Sequence, residues 1–254
     1  MSLVKTPQQI EIMRKNGKIL GNILVELKEM IKPGLDAWDL ELKFIELCKK
    51  NSVNPSCKGY RHYYLPPFPT GLCVSVNTQC VHCYPKMGQI LKEGDLITVD
   101  TVIDAKGLFV DSSFVTTVGE ASELKQRLVK TSYDALQKAL KEAKANKRIG
   151  DIANALQTTA YKNKLNVLED YAGHGIGTEM HEDPEVPCTG DPNTGLKLKD
   201  GMIICIESLI CTGESDVKYQ NSWETIMRDG GFFGQFEHTV LIKEGGNEIL
   251  TLPD

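Results

Sequence analysis

The sequence predicts an α+β fold built from two similar halves. Two helical segments followed by strand segments occur in residues 6–120, and the same order returns in residues 121–254. Such a repeated order of elements indicates an internal duplication with pseudo-two-fold symmetry. No flexible linker separates the halves, so we expect a single domain over residues 1–254.

The overall composition is that of an ordinary globular protein, and it disfavours several functions. The 254 residues are 41% hydrophobic and carry a net charge of −5, so we expect no direct binding of nucleic acid. No run of 18 apolar residues occurs and Met1–Thr6 lacks the layout of a signal peptide, so we expect no membrane span. The eight cysteines are then expected to be free thiols in a reducing compartment.

The first half begins with two predicted helices. Thr6–Gln9 has the pattern of a capping box with Pro at the first helical position, and apolar residues then recur at helical spacing until Lys32–Gly34. Asp36 is expected to cap the second helix. A Pro-rich aromatic loop over residues 56–70 follows and leads to a predicted strand at Leu72–Val76.

The stretch Asp95–Asp111 is predicted to be a β-hairpin, because β-branched and apolar residues fill both arms and Asp104–Gly107 is a turn signal. If Ala105–Lys106 is the two-residue loop, Asp100 lies directly opposite Asp111. Two like charges that face each other are destabilising unless a cation lies between them. Two solvent-facing carboxylates on the wet side of the hairpin explain these residues equally well when they are considered alone.

The second half repeats this order. Ser122 opens a third helix, and Arg148–Asp151 opens a fourth, where we expect an Asp cap as in the first half. Strands are predicted around Val167–Tyr171, Met202–Ile210 and Phe236–Ile242.

Three motifs of the second half carry residues suited to catalysis or metal binding. Tyr171–Glu182 holds His174 among three glycines, which let a backbone approach a ligand closely, and a second histidine, His181. Glu207 ends an almost wholly apolar strand, and Glu237 precedes another. Each one alone is better explained as a structural histidine or as an exposed carboxylate at the end of a strand.

Together with the hairpin, these residues indicate a metal centre. Their four carboxylates carry a charge of −4, which two divalent cations neutralise. Oxygen-rich ligation with one imidazole and no thiolate suits Mn, Fe, Co or Zn, and paired ions activate water and polarise a carbonyl. Cys80–Cys83 resembles half of a zinc knuckle, but no second pair follows at finger spacing, so no structural zinc site is expected. The predicted ligands are Asp100, Asp111, His174, Glu207 and Glu237.

The order of these residues resembles the type I methionine aminopeptidases. Two aspartates eleven residues apart, GHGIGxxxHE, GMIIxIE and QFEHT carry the resemblance, which covers nearly the whole chain. It implies the pita-bread fold of creatinases and these aminopeptidases, with an antiparallel sheet at the core and helices outside. Type II relatives carry an inserted helical subdomain for which the spacing from His181 to Glu207 leaves no room.

The resemblance implies a function and a role for each ligand. The enzyme would remove the initiator methionine from nascent proteins and peptides, through a hydroxide that bridges two divalent ions (Co, Mn, Fe or Zn). Asp111 and Glu237 would bridge both ions, and Asp100 would bind one of them. His174 and Glu207 would bind the other ion, and Glu207 would also serve as general base or proton shuttle.

The resemblance also implies contacts with the substrate. His181 would hydrogen-bond the scissile carbonyl oxygen and His82 would contact the scissile amide nitrogen, while the free amine of the substrate would bind a metal ion. A pocket of sulfur-containing and aromatic side chains suits a thioether. Ordinary loop packing is the alternative interpretation of the aromatic residues, above all of Phe68. The implied pocket residues are Cys57, Tyr60, Phe68, Cys73, Met180 and Trp223.

Several positions depart from the usual type I pattern, and none of them is a predicted ligand. Cys83 and Ser208 stand where the family has Gly and Pro, Val110 stands where it has Gly, and Met180 stands where Phe is common. The loop over residues 57–73 is longer than usual. We therefore expect a changed pocket rim and a changed tolerance at the second substrate position.

Two alternative functions stay open. A proline-specific peptidase of the same fold, such as an Xaa-Pro aminopeptidase or a prolidase, usually carries an added N-terminal domain, for which a first helix at Thr6 leaves no room. A non-catalytic binding protein on this fold generally lacks the metal ligands, all five of which are present. The resemblance further implies a monomer, cytoplasmic or organellar, acting on nascent chains, and an association with the ribosome would suit that task.

Overall fold

Residues 3–254 are described in a computed structural model, in which four helices and twelve strands alternate in groups. The helices are α1 (Pro7–Met30), α2 (Ala37–Asn51), α3 (Glu123–Glu142) and α4 (Ile149–Lys162). The strands are β1 (Asn54–Pro55), β2 (Cys73–Val76), β3 (Leu96–Ala105), β4 (Leu108–Thr117), β5 (Asn166–Val167), β6 (Ala172–Gly175), β7 (Glu182–Pro187), β8 (Ile203–Cys211), β9 (Val217–Tyr219), β10 (Thr225–Met227), β11 (Phe233–Lys243) and β12 (Gly246–Ile249).

Ten of these strands form one antiparallel sheet in the order β1–β3–β4–β11–β8–β6–β7. Three of the ten strands lie outside this order: β2 pairs with β3, β12 pairs with β11, and β5 pairs with β8. A separate two-stranded sheet consists of β9 and β10. The contact between β4 and β11 joins the two halves of the chain, with Ser113 opposite Glu237. The predicted α+β class, with an antiparallel sheet at the core and helices outside, is confirmed.

The first two helices begin as predicted. The Thr6 hydroxyl accepts a hydrogen bond from the Gln9 amide at 3.2 Å, and the Gln9 side chain accepts one from the Thr6 amide at 2.9 Å. The Asp36 carboxylate accepts a hydrogen bond from the Trp38 amide at 3.1 Å. These side chains satisfy amides that the first helical turns leave unpaired.

Two predictions for the second half are wrong in detail. Asp151 is the third residue of α4 and not its cap; its carboxylate accepts hydrogen bonds from the Arg148 and Asn193 amides, each at 2.9 Å. The strand expected over Val167–Tyr171 ends at Val167, because the exposed Glu169 and Asp170 turn the chain before β6 begins.

The hairpin of β3 and β4 forms, but its predicted register is wrong. The loop is Lys106–Gly107, whose φ angles of 57° and 69° are the two positive values that a type I′ turn requires. Asp100 therefore pairs with Ser113, and Asp111 lies two residues away on the same strand as Ser113. The two aspartates are thus diagonal neighbours on one face of the sheet, with Cα atoms roughly 7–8 Å apart, instead of directly opposite each other.

Alternate residues of β3 face two different environments. Ile97 and Val99 lie in one hydrophobic cluster with Leu20 of α1 and Phe44 of α2. Asp100 faces the opposite side, as expected from the two-residue period of a strand. A second cluster joins α3 and α4 to β8 and β11. The helices therefore cover one side of these strands. The polar residues that alternate with the apolar ones, such as Asp100, face the other side.

An ion-pair network ties α1 to the last hairpin. Both oxygens of Glu248 on β12 accept hydrogen bonds from the Arg14 guanidinium, at 2.6 and 3.1 Å, and Lys243 lies 2.7 Å from one of them. The Arg14 hydrogen bonds lower the pKa of Glu248 to about 2. Its carboxylate is therefore charged over the whole range in which the protein is expected to be folded.

Replacing Glu248 by Gln should lower the free energy of unfolding by about 1 kcal/mol at pH 7. Because the folded pKa lies below the unfolded value of about 4.3, this stabilisation is complete above that pH and disappears as the pH falls towards 2. Urea unfolding between pH 7 and pH 3 measures the difference. The matched control is Glu244→Gln, an exposed carboxylate of the same hairpin with no ion pair among residues 3–254. A difference that stayed constant down to pH 3 would contradict the assignment.

Candidate active site

The predicted metal ligands line one small cavity of about 160 Å³. Both predicted catalytic histidines and a glutamine line it as well. Residues of β3, β4, β6, β8 and β11 contribute to its lining. The polar and charged residues of its lining include Asp100, Asp111, His174, Glu207, Glu237, His82, His181 and Gln235.

Four strands place carboxylates in one row across the sheet. Asp100 on β3 pairs with Ser113 on β4. Ser113 pairs in turn with Glu237 on β11, and Glu237 pairs with Glu207 on β8. Directly opposite residues of adjacent antiparallel strands share a face, with Cβ atoms roughly 4.5–5.5 Å apart. Asp111 precedes Ser113 by two residues and therefore joins the same face.

Glycine lets β6 come close enough to add an imidazole to this row. A Cβ atom on Gly173 would overlap the carbonyl of Cys205 on β8. The next residue, His174, places its Nε2 atom 3.7 Å from Oδ2 of Asp111. Its Nδ1 atom lies 2.9 Å from the carbonyl of Gly175, so Nδ1 is assigned as the donor. The lone pair is then on Nε2, as metal binding requires.

The carboxylates of this cavity oppose one another's ionisation. Burial raises the pKa of Asp100 to about 7, and burial and the Asp100 charge raise the pKa of Glu207 to about 8. The pKa values of Asp111 and Glu237 lie well above their usual range, through burial first and then through the neighbouring carboxylates. Burial, with His181 nearby, lowers the pKa of His174 to about 3 and keeps it neutral. Cations would reverse the balance for the carboxylates, because they stabilise the charged form.

The donor set fits divalent cations. Among the described residues, Oδ1 of Asp100 and Oδ1 of Asp111 are buried without a hydrogen-bond partner. Ligand atoms of Asp111, His174 and Glu237 lie within 4.8 Å of one another. Buried polar atoms normally have partners, so these oxygens indicate that something else satisfies them. Carboxylates with one neutral imidazole suit Mn, Fe, Co or Zn.

Gln235 supports two of the carboxylates, and reasoning from the sequence missed it. Its Nε2 atom donates to Oε2 of Glu207 at 3.0 Å and to Oε2 of Glu237 at 3.3 Å. The signal was present in the sequence, since Gln235 precedes Glu237 by two residues and therefore shares its face of β11. The amide holds the two carboxylates in a fixed relative orientation.

Cys205 places a sulfur atom close to the predicted donor atoms. It is completely buried, and it precedes Glu207 by two residues on β8, so both side chains lie on one face. Its Sγ atom belongs to the same group of donor atoms within 4.8 Å as Asp111, His174 and Glu237. The predicted donor set does not include this thiol, although it lies close to three of the predicted ligands.

The two predicted catalytic histidines both line the metal-ligand cavity. His82 has a φ of 62°, a conformation that a non-glycine residue rarely adopts outside functional sites, and its ring is 5.6 Å from that of Tyr171. His181 lies 4.5 Å from the ring of His174, and its Nδ1 atom is 3.1 Å from the Tyr60 hydroxyl. Burial lowers the pKa of His82 to about 4 and also lowers that of His181. Both rings are therefore neutral near pH 7.

An apolar pocket opens beside the carboxylates. A cavity of about 640 Å³ is lined by all the predicted pocket residues and also by Asp100 and Asp111. Trp223 packs edge-to-face on Phe68, with ring centroids 5.4 Å apart, and its Nε1 atom donates to the carbonyl of Pro66 at 2.8 Å. Phe68 thus both packs its loop and lines the cavity. The lining includes Cys57, Tyr60, Phe68, Cys73, Met180 and Trp223, together with Val102, which the sequence reasoning missed.

Comparison with known proteins agrees with this geometry. The sequence profile of metallopeptidase family M24 matches residues 11–244. Over 252 residues the chain is 37% identical to methionine aminopeptidase 1 of Bacillus subtilis, with 99% of each chain covered. The crystal structure of the methionine aminopeptidase of Thermotoga maritima superposes with a TM-score of 0.94 at 40% identity, covering 98% of each chain.

A more distant relative shares only the fold. The prolidase of Pyrococcus furiosus superposes with a TM-score of 0.73 at 21% identity, over 99% of this chain and 66% of the prolidase. Identity at that level shows the common architecture and carries no argument about the substrate.

Proposed function

Because the chain belongs to metallopeptidase family M24, we infer that it is a methionine aminopeptidase, a metal-dependent hydrolase that removes the N-terminal methionine from peptides and nascent proteins. The observation that carries this inference is the shared wall between the carboxylate row and the apolar pocket. Asp100 and Asp111 line the same cavity as Phe68 and Trp223. An N-terminal methionine whose side chain occupied that pocket would have its backbone amine and carbonyl next to the carboxylates.

We propose that five residues hold two divalent ions, whose identity among Co, Mn, Fe and Zn depends on supply and affinity. Asp111 and Glu237 would contact both ions, Asp100 one, and His174 and Glu207 the other. Their four carboxylates match the charge of two divalent cations. When bound, such ions supply Lewis-acid polarisation of the carbonyl and activation of water.

Glu207 is proposed as the general base. It is buried, and Gln235 holds its Oε2 atom at 3.0 Å. A carboxylate in this position would take a proton from the attacking water and pass it to the leaving amine. Burial and the Asp100 charge raise its pKa to about 8, so the protein alone favours the protonated form, and cations nearby would restore the basic one.

The two histidines are proposed to bind the scissile peptide group. The Tyr60 hydroxyl is assigned as donor to Nδ1 of His181, which leaves the proton of a neutral ring on Nε2. That N–H would donate to the scissile carbonyl oxygen and stabilise its developing negative charge. His82, which lines the same cavity, would contact the scissile amide nitrogen.

The soft lining of the pocket supports methionine as the preferred side chain. Cys57, Cys73 and Met180 contribute sulfur, and Phe68 and Trp223 contribute aromatic rings. Thioether sulfur interacts favourably with aromatic rings, and the buried side chains of this cluster carry no charge that would pair with an ionic side chain. The same lining gives no special reason to select proline at the second position.

We also propose a cytoplasmic location, a monomeric state and action on nascent chains at the ribosome. No helix in the described part of the chain is long and apolar enough to cross a membrane. An organellar location would use the same chemistry.

The test is peptide hydrolysis by purified protein supplied in turn with Co, Mn, Fe and Zn. We expect release of free methionine from Met-Ala-Ser and no cleavage of an Xaa-Pro peptide, because the apolar pocket accepts the thioether. Metal-loaded, folded protein that freed no methionine would overturn the assignment. Cleavage of the Xaa-Pro peptide alone would favour the proline-specific alternative.

A further inference from the structure

The thiol of Cys205 lies close to three of the predicted metal ligands. Its Sγ atom and ligand atoms of Asp111, His174 and Glu237 all lie within 4.8 Å of one another. Donors this close together can surround one ion, because bonds from zinc to oxygen, nitrogen and sulfur are ~2.0–2.3 Å long. Two oxygens, one nitrogen and one sulfur are then available on this side of the cavity.

The thiol of Cys205 contacts the Thr239 hydroxyl and the Glu237 carboxylate, two weak hydrogen-bond partners that a metal ion could replace. Cys205 pairs with Thr239 on β11, and Sγ lies 3.7 Å from the Thr239 hydroxyl oxygen. That hydroxyl also donates to the carbonyl of Asp111 at 2.8 Å and accepts from its amide at 2.9 Å. Oδ1 of Asp111 is also buried without a hydrogen-bond partner. This oxygen is therefore placed for a ligand that no protein group supplies, and the sulfur lies in the same group of donor atoms as Asp111.

We propose that Cys205 supplies a sulfur ligand to the ion held by Asp111, His174 and Glu237, and that this position of the centre prefers softer cations such as Zn²⁺, Co²⁺ or Cd²⁺ over Mn²⁺. The inference rests on the proposed function, since it needs the metal centre. A sulfur–metal bond forms from the Sγ lone pair, and the thiol proton leaves to solvent. Soft thiolate favours soft cations, whereas the Asp100 side of the centre keeps oxygen ligands.

A different role for Cys205 makes a different prediction. The residue also belongs to a hydrophobic cluster with Ile203 and Leu241, where a small apolar side chain simply fills space. A cysteine with only that role would leave both the spectrum of bound cobalt and the preference among cations unchanged when it is replaced.

The first experiment is a titration of metal-free protein with Co²⁺, followed by absorption. Visible d–d bands report binding, and a near-ultraviolet sulfur-to-cobalt charge-transfer band reports sulfur ligation. We expect the near-ultraviolet band in the wild type and its loss in Cys205→Ser, with the visible bands retained. Cys211→Ser is the matched control, since Cys211 is a buried cysteine at the end of the same strand. It should keep both features.

The second experiment compares Cd²⁺ and Mn²⁺ affinities by calorimetry in the wild type, Cys205→Ser and Cys205→Thr. We expect Cd²⁺ affinity to fall at least about tenfold in both variants, with a smaller change for Mn²⁺. Circular dichroism checks that each variant is folded, and the two replacements give two chances of a folded protein.

The outcomes separate this inference from the proposed function. Wild-type protein that binds Co²⁺ without the near-ultraviolet band, or a band that survives in Cys205→Ser, overturns the sulfur ligand and leaves the peptidase assignment standing. Wild-type protein that binds no Co²⁺ at all overturns both. Equal losses of Cd²⁺ and Mn²⁺ affinity would reduce Cys205 to a packing role.

Discussion

Replacing Asp111 by Asn is expected to remove bound metal and to lower kcat/KM by about 10³-fold or more, equivalent to at least about 4 kcal/mol of transition-state stabilisation. The change keeps the shape of the side chain and removes the charge that would contact both ions. Elemental analysis of the purified variant and methionine release from Met-Ala-Ser measure the two effects. Wild-type turnover in this variant would contradict the role of Asp111 as a ligand of both ions.

The same variant should stay folded, and this separates lost chemistry from lost structure. The hydrogen bonds between Asp111 and the Thr239 hydroxyl use the backbone amide and carbonyl of Asp111, so they survive the change. Removing one charge from a crowded group of carboxylates also relieves repulsion. In the presence of a chelator, its urea midpoint should therefore equal or exceed that of the metal-free wild type. Asp104→Asn on the same hairpin, outside the cavity, is the control and should keep metal and activity.

Replacing His181 by Ala is expected to lower kcat by about 10²–10³-fold with metal content unchanged and KM changed much less. The expected loss is in kcat because the Nε2–H of His181 would stabilise charge that develops only in the transition state. Steady-state kinetics with Met-Ala-Ser and elemental analysis on the same preparation measure the three quantities. Unchanged kcat would remove His181 from the proposed chemistry, and parallel loss of metal would make it a ligand or a support of one.

Two further variants sharpen the assignment of His181. His181→Gln retains a neutral donor and should recover part of the lost kcat. Tyr60→Phe removes the hydroxyl that orients the ring through Nδ1, and it should cause a smaller loss than His181→Ala, because the donor remains but its tautomer is no longer imposed. A larger loss in Tyr60→Phe than in His181→Ala would reverse the proposed order of importance.

Local signals in the sequence were sufficient to predict the helices and the types of side chain that could bind a metal ion. The capping box at Thr6 and the Asp36 cap act within one turn of helix, and both occur in the structure as predicted. The ligand types were readable because a carboxylate in an apolar strand is costly without a partner. The fourth helix shows the limit, since Asp151 serves from inside the helix and its second partner, Asn193, is distant in sequence.

The register of the hairpin was decided by the backbone of its turn. Either Ala105–Lys106 or Lys106–Gly107 is compatible with the sequence pattern of the arms. A type I′ turn needs positive φ at both central residues, and Gly107 adopts it without strain, so the loop includes Gly107. The shift changes the residue opposite Asp100 but keeps Asp100 and Asp111 on one face, because the side-chain period of a strand is two.

The sequence by itself determined the α+β class, the helices, the family resemblance and the candidate donors. Only the tertiary structure decided which of these residues share a cavity. Strand pairing joins β4 to β11 across more than a hundred positions, and β11 to β8 in turn, and it leaves no local signal in the sequence. That pairing adds Gln235 and Cys205 to the group of predicted ligands, since each lies two residues from a carboxylate on the same face. The thiol of Cys205 was thus visible in the sequence as an ordinary core residue, and its position beside Asp111 and Glu237 follows from the pairing alone.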